Sequence, residues 1–275
     1  MNFGMRGHDF VASSLEELAI KCQKNDIKNV QLVFKKTIPD FKEGQFTPEF
    51  ALKMRDILAE KGVRVSVLGC YINPSDTHPE TLKASMDYFK ECLHYAKYME
   101  ADVVGLETGF VGEECNPEEN NTEEAYQYLL KNMKELVSVA EELGVNIGVE
   151  GVWCYVINSP KRMKRLVDDL NSENVKVIFD PINYLNDSNI DKQDEMIDEF
   201  FELFSDKICA IHLKDFVFEN GKREGVYPCS GELNHKKIFG YLKKINPDIP
   251  VVLEGTDENM LSAVKESTEA KFETA

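Results

Sequence analysis

The chain is short of positive charge, of histidine and of any long apolar run. Its 275 residues carry 32 Lys and Arg against 49 Asp and Glu, a formal net charge of −17, with five His. Every phosphate contact on a nucleic acid has to be supplied by clustered cations, so this balance argues against nucleic acid as a partner. No stretch approaches the roughly 20 apolar residues of a membrane span. The start, Met-Asn-Phe-Gly-Met-Arg-Gly-His-Asp, lacks the basic and apolar segments of a secretory signal. The expectation is a cytoplasmic protein with no membrane partner. The seven Cys (22, 70, 92, 115, 154, 209, 229) form no Cys-x-x-Cys pair. An odd count without an export signal predicts reduced thiols, most of them small core residues. Neither Gly-x-Gly-x-x-Gly nor Gly-x-x-x-x-Gly-Lys-Ser/Thr occurs, which removes the main support for a nucleotide-binding α/β fold. No Pro/Gly/Ser-rich linker interrupts the chain, so residues 1–275 are expected to form a single domain.

What is present is a regular alternation. Short apolar runs at 3–8, 30–34, 63–68, 102–106, 145–150, 175–179, 208–213 and 250–253 read as strands. Between them lie helix starts: Ser13-Ser14-Leu-Glu-Glu, Thr47-Pro48, His78-Pro79, Thr122, Ser159-Pro160, Asn234 or His235, and Asp257. The segment 112–121 and the stretch holding Gly221, Gly225, Pro228 and Gly231 read as loops. Eight strand-helix alternations favour an α/β fold of the closed type, a single (β/α)8 TIM barrel, over a doubly wound sheet.

Four of these runs carry one polar residue at or beside their end: Glu150, Asp180, His212 and Glu254. Barrel active sites form where the strands end. Alternation places Gly148 beneath Glu150, Ile178 beneath Asp180, Ala210 and Ile208 beneath His212, and Val252 beneath Glu254. All four polar side chains then converge on the axis. Three carboxylates aimed at one point cannot all stay ionised without a counter-charge, and a divalent cation supplies it. The donors are three carboxylates and one imidazole with no thiolate. That set suits Mn²⁺, Mg²⁺ or Co²⁺ at least as well as Zn²⁺. Arg6 and His8 share an inward phase and are candidates to lie over a substrate, with Arg6–Glu107 pairing as the structural alternative. Tyr71 and Trp153 are candidates to stack on a sugar face. Lys214 reads either as an anion binder or as a solvated partner of Asp215.

Glu150, Asp180 in Phe-Asp-Pro-Ile-Asn, His212 in Ile-His-Leu-Lys-Asp and Glu254 in Val-Leu-Glu-Gly together resemble the xylose isomerase-like barrel superfamily, in its sugar phosphate isomerase/epimerase branch. The resemblance extends through Arg6-Gly-His8-Asp, Gly69-Cys-Tyr71 and Gly105-Leu-Glu107-Thr-Gly. It implies one divalent metal, Mn²⁺ foremost and Mg²⁺, Co²⁺ or Zn²⁺ otherwise, held by Glu150, Asp180, His212 and Glu254. It also implies that Glu150 and Glu254 act as the acid/base pair. Arg6, His8, Tyr71, Glu107, Trp153, Asn183 and Lys214 are expected around a small-molecule sugar or sugar phosphate. Relatives of this kind often assemble as homodimers or homotetramers. Asn183 stands where ketose epimerases carry His, and His-Leu-Lys-Asp also resembles inosose dehydratases, so an inosose dehydratase-like lyase is the alternative. An abasic-site endonuclease would need further His ligands that five His do not supply. A non-catalytic carbohydrate-binding barrel would not need both Glu residues.

Overall fold

A computed structural model describes every residue except Asp40, Asn220 and Gly221. In chain order the elements are β1 (Phe3–Arg6), α1 (Leu15–Lys24), β2 (Asn29–Leu32), α2 (Phe34–Thr37), α3 (Pro48–Ala59), β3 (Arg64–Gly69), α4 (Pro79–Met99) and β4 (Val103–Glu107). They continue with α5 (Pro117–Asn120), α6 (Glu123–Leu143), β5 (Ile147–Glu150), α7 (Pro160–Leu170), β6 (Val175–Phe179), α8 (Gln193–Phe204) and β7 (Ile208–Leu213). The chain closes with β8 (Asp215–Glu219), β9 (Lys222–Val226), α9 (His235–Ile245), β10 (Val251–Leu253) and α10 (Leu261–Glu273). Strands β1 to β7 and β10 pair in parallel, β10 between β7 and β1, and close an eight-stranded barrel inside a ring of helices. This is the (β/α)8 architecture the alternation implies. No helix among the described residues is long and apolar enough to cross a membrane.

The helix starts follow their caps. Ser14, Thr47, Thr122, Ser159 and Asn234 each accept a backbone N–H three residues on. Each such bond satisfies a donor the helix itself leaves free. Gly144 ends α6 with φ 67°, a left-handed cap that costs glycine little. Asp257 behaves differently. Its carboxylate accepts from Asn259 and Met260 in a turn ahead of α10, whose N-cap is Met260.

Two apolar layers hold the barrel. Outside, strand residues pack against helices and helices against each other: the rings of Phe179 in β6 and Phe200 in α8 stack at 4.0 Å, and those of Phe201 in α8 and Tyr241 in α9 at 4.6 Å. Inside, Val67, Val103, Ile178 and Ala210 fill the axis. Gly148 is required there. A Cβ on it would stand 2.9 Å from Ile178 Cδ1 and 3.0 Å from Val103 Cγ2. The inward phases of Gly148, Ile178 and Ala210 match the sequence pattern, but that of Ile208 does not. The β6–β7 register slips between Val177 and Ile178, so that Ile208 joins the outer layer and Cys209 packs on the inner one.

The segment after β7 is not a plain loop. Strands β8 and β9 form an antiparallel hairpin, with Gly225 opposite Phe216; Gly221, read as part of the loop, lies outside the described residues. The thiol expectation is also corrected, because Cys115 and Cys154 are joined in a disulfide across 39 residues, while Cys22, Cys70, Cys92, Cys209 and Cys229 are free. Spacing along the chain does not reveal a pair that meets only once two barrel loops are side by side.

Candidate active site

The site lies at the C-terminal end of the barrel. Glu150 and Glu107 end the adjacent strands β5 and β4 as register partners, Asp180 and Glu254 each follow a strand by one residue, and His212 is next to last in β7. Glu150, Asp180, His212 and Glu254 are all 5% exposed or less. Donor atoms of Glu150, Asp180 and His212 lie within 4.8 Å of one another. His212 Nδ1 stands 3.3 Å from Glu150 Oε2 and 3.3 Å from Glu254 Oε1. Glu254 is set slightly apart, because its Oε2 is also 3.0 Å from Lys214 Nζ and 3.4 Å from Arg6 Nη1.

Neighbouring groups orient these acids. Asn183 Nδ2 donates to Glu150 Oε1 at 2.6 Å, and the backbone N–H groups of Ile182 and Asn183 donate to Asp180 Oδ1. Lys214 Nζ lies 2.6 Å from Asp180 Oδ2. Lys214 is therefore neither a free anion binder nor the partner of Asp215. Asp215 points away and accepts from the N–H groups of Phe216, Gly231 and Leu233. Arg6 makes two 2.9 Å bonds to Asp9 besides its contact with Glu254, and so does not pair with Glu107.

The electrostatics show an excess of negative charge. Burial disfavours the His212 imidazolium, yet Glu150, Glu254 and Asp180 together raise it to about 9. Burial pushes Asp180 up to about 6, with Lys214 opposing and Glu150 and Glu254 reinforcing. Burial and then Glu150 raise Glu107 to about 7, against Lys214 and a hydrogen bond from Tyr155. Burial also opposes ionisation of Glu254, but His212, Lys214 and Arg6 outweigh it and hold the acid near 2.

This set fits a divalent cation. Donors about 2.0–2.1 Å from an ion stand about 3.0 Å apart in octahedral and about 3.3 Å apart in tetrahedral geometry. The two 3.3 Å spacings around His212 Nδ1 fall in that range and do not select a metal. The chemistry of three carboxylates and one imidazole agrees.

Of the expected substrate contacts, Arg6, His8, Tyr71, Glu107 and Lys214 line a mouth cavity of about 250 Å³ with Glu150 and Glu254. His8 sits on a 3-10 turn, Gly7–Asp9, and not on β1 itself. A larger cavity of about 870 Å³ under the β8–β9 hairpin shares Arg6, Lys214 and Glu254 with the mouth. Asn183 reaches the site through Glu150. Trp153 lines neither cavity; its backbone N–H donates to Asn183 O. Two residues escaped the sequence reading. Gln31 donates to the Tyr71 hydroxyl, and Tyr155 to Glu107. The signal for Gln31 was a polar side chain at inward phase between Val30 and Leu32, both of which pack outward.

Around the mouth the strand-helix loops are tied to one another. Asn73 Nδ2 donates to Phe110 O, and Ser75 Oγ to Thr108 O. The Cys115–Cys154 disulfide joins the loop after β4 to the loop after β5, and Arg223 Nη1, in the hairpin after β7, donates to Leu185 O in the loop after β6.

Known proteins share this fold. A D-psicose 3-epimerase from Enterocloster bolteae is 24% identical over 217 residues, 76% of this chain and 67% of that protein. The matches to two uncharacterized proteins of Methanocaldococcus jannaschii span 64% and 63% of their lengths, less than two thirds of each. Among solved structures, a D-tagatose 3-epimerase-like protein superposes with a TM-score of 0.77 at 19% identity, covering 100% of this chain and 98% of that one. The IOLI protein with a bound zinc atom also gives 0.77, at 16% identity, with 100% and 99% covered. A family model described as the xylose isomerase-like TIM barrel matches residues 16–273. With a closed barrel and its acids gathered at the strand ends, the chain belongs to the xylose isomerase-like TIM barrel family.

Proposed function

We propose that this protein is a divalent-metal-dependent isomerase or epimerase of a sugar or sugar phosphate, working by proton abstraction next to a carbonyl. One observation carries the reading: Glu150 and Glu254, from the non-adjacent strands β5 and β10, flank the same His212 nitrogen at 3.3 Å each. Two carboxylates on separate sides of a bound carbon are what inversion at that carbon requires, one taking the proton and the other returning it. A divalent ion held by Glu150, Asp180, His212 and Glu254 supplies the Lewis acidity that makes such a proton removable, with Mn²⁺ the first choice. Asn183 holds Glu150 in its orientation, and Lys214 with Arg6 keeps Glu254 ionised. Arg6, His8 and Tyr71 line the substrate's side of the mouth.

The test is solvent-hydrogen exchange in deuterated water over a panel of ketoses, ketose phosphates and inososes with the metal-loaded protein. Exchange is expected in the wild type and absent in both Glu150→Gln and Glu254→Gln. Exchange that persists in both variants refutes the assignment. Glu107 favours a second reading. Raised to about 7, it is a carboxylic acid available to protonate a departing hydroxyl, as a dehydratase needs. Loss of water in the same panel identifies that chemistry.

A further inference from the structure

A glycine at the end of β3 makes room for one tyrosine, Tyr71. Gly69 ends β3 and is the register partner of Gly105 in β4. A Cβ on Gly69 would stand 2.7 Å from Tyr71 Cε2 and 2.8 Å from Val33 Cγ2. A Cβ on Gly105 would meet Val67 Cγ1 at 2.7 Å and lie 3.9 Å from the Tyr71 hydroxyl. The ring therefore folds back over the end of its own strand. One edge stays open to solvent, with the residue 37% exposed, while the hydroxyl descends to the level of the barrel's inner layer. There it accepts a hydrogen bond from Nε2 of Gln31, which is 2% exposed.

A phenol that accepts from an amide N–H keeps its own proton for a second acceptor. Among the described residues nothing takes that proton, although the hydroxyl lines the mouth with Glu107, Glu150 and Glu254. Burial, and the charges of Glu150, Glu254, Glu107 and Asp180, keep the phenol protonated. A neutral donor held at fixed depth beside the proposed acid/base pair suits an uncharged oxygen.

The geometry assigns Tyr71 as a hydrogen-bond donor to a hydroxyl or carbonyl oxygen of a polyhydroxy ketone, with Gln31 as the residue that positions it. This differs from stacking on a sugar face, and it rests on the proposed isomerase or epimerase reading. Negative charge that develops on the accepting oxygen strengthens the bond, so the donor acts more on the transition state than on binding.

The test compares wild type, Tyr71→Phe, Gln31→Leu and the double variant, each loaded with Mn²⁺. Tyr71→Phe keeps the ring in its slot and removes only the hydroxyl. It is expected to lower kcat for exchange about 100-fold, the scale seen when one oxyanion donor is removed, and to raise KM by no more than about tenfold, in step with the weakened binding of a polyol. Binding of ribitol, followed by isothermal titration calorimetry, is expected to weaken about five- to tenfold, the size of one lost hydrogen bond. Metal content and thermal midpoint are expected to stay unchanged. Gln31→Leu is expected to lower kcat, and to add nothing once Tyr71→Phe is in place, because a positioning residue has no role without the group it positions.

Equal ribitol binding and kcat within about twofold of wild type in Tyr71→Phe overturn the assignment. Loss of metal or a lowered midpoint in that variant also overturns it, by making the hydroxyl structural. If wild type binds ribitol but exchanges no ketose, the isomerase reading falls, and the binding comparison still decides the donor. If wild type binds no polyol, the donor has no oxygen to serve and the assignment falls.

Discussion

Lys214 stands where a metal would compete with it, and that gives a quantitative prediction. Its Nζ lies 2.6 Å from Asp180 Oδ2 and 3.0 Å from Glu254 Oε2. At an effective dielectric of about 20 the two attractions amount to about 6 and about 5.5 kcal/mol before desolvation. Removing one partner of such a buried pair costs about 3–5 kcal/mol net. Because the lysine side chain is 30% exposed, the lower end, about 3 kcal/mol, is the expected cost of Lys214→Met without metal. With an unfolding entropy of about 2.1 cal/mol/K per residue over 275 residues, that corresponds to a midpoint lowered by about 5 °C. A divalent ion among the same carboxylates replaces the missing charge, so with saturating Mn²⁺ the loss is expected to shrink to about 1 kcal/mol. The assay is thermal and urea unfolding of wild type and variant in EDTA and in Mn²⁺. An equal loss under both conditions would refute the idea that lysine and metal neutralise the same acids.

Two further perturbations test the framework under the site. Gly148→Ala is expected to cost about 1–3 kcal/mol by overpacking against Ile178, and Ile178→Val about 1 kcal/mol. The double variant is expected to lose about 1 kcal/mol less than their sum in urea unfolding, since the valine removes the methyl the new Cβ strikes; additivity within about 0.3 kcal/mol would contradict the packing. Reduction of Cys115–Cys154, which closes a span of 39 residues, is expected to cost about 4 kcal/mol in the chain-entropy account and to lower the midpoint by several degrees. A Cys115→Ser/Cys154→Ser protein that responds equally to dithiothreitol would refute that origin.

The barrel was legible because each strand and each helix start carries its own local chemistry: a capping side chain, a proline at the first helical turn, an apolar run of one strand's length. The four polar strand ends were legible because alternation fixes which side chains face the axis. What escaped depends on contacts between loops distant in sequence. Cys115 and Cys154 meet only because β4 and β5 are neighbours, and the β6–β7 slip that turned Ile208 outward is a property of pairing. Lys214 looked like a solvent-facing partner of Asp215, its neighbour in sequence. Its partners lie instead on the loops after β6 and β10, while Asp215 takes three backbone donors. The β8–β9 hairpin escaped for another reason, since Gly225, Pro228 and Gly231 lie close together and read as loop.

That hairpin has a closed neck. Where the chain leaves it, Gly231 and Leu233 donate to the Asp215 carboxylate and Glu232 N–H to Phe216 O, so both ends of the excursion are clamped where β7 ends. Gly231 has no room for a side chain there, since its Cβ would fall 2.1 Å from Phe216 O. Chain between two clamped ends can change length at small entropic cost, each doubling adding only about 0.6 kcal/mol. The described residues 217–219 and 222–230 thus belong to a cassette that can be lengthened, shortened or exchanged while Lys214 and the barrel keep their places. Its roof covers the cavity next to the mouth, so exchanging that one segment re-lines the cavity without moving the acids at the strand ends.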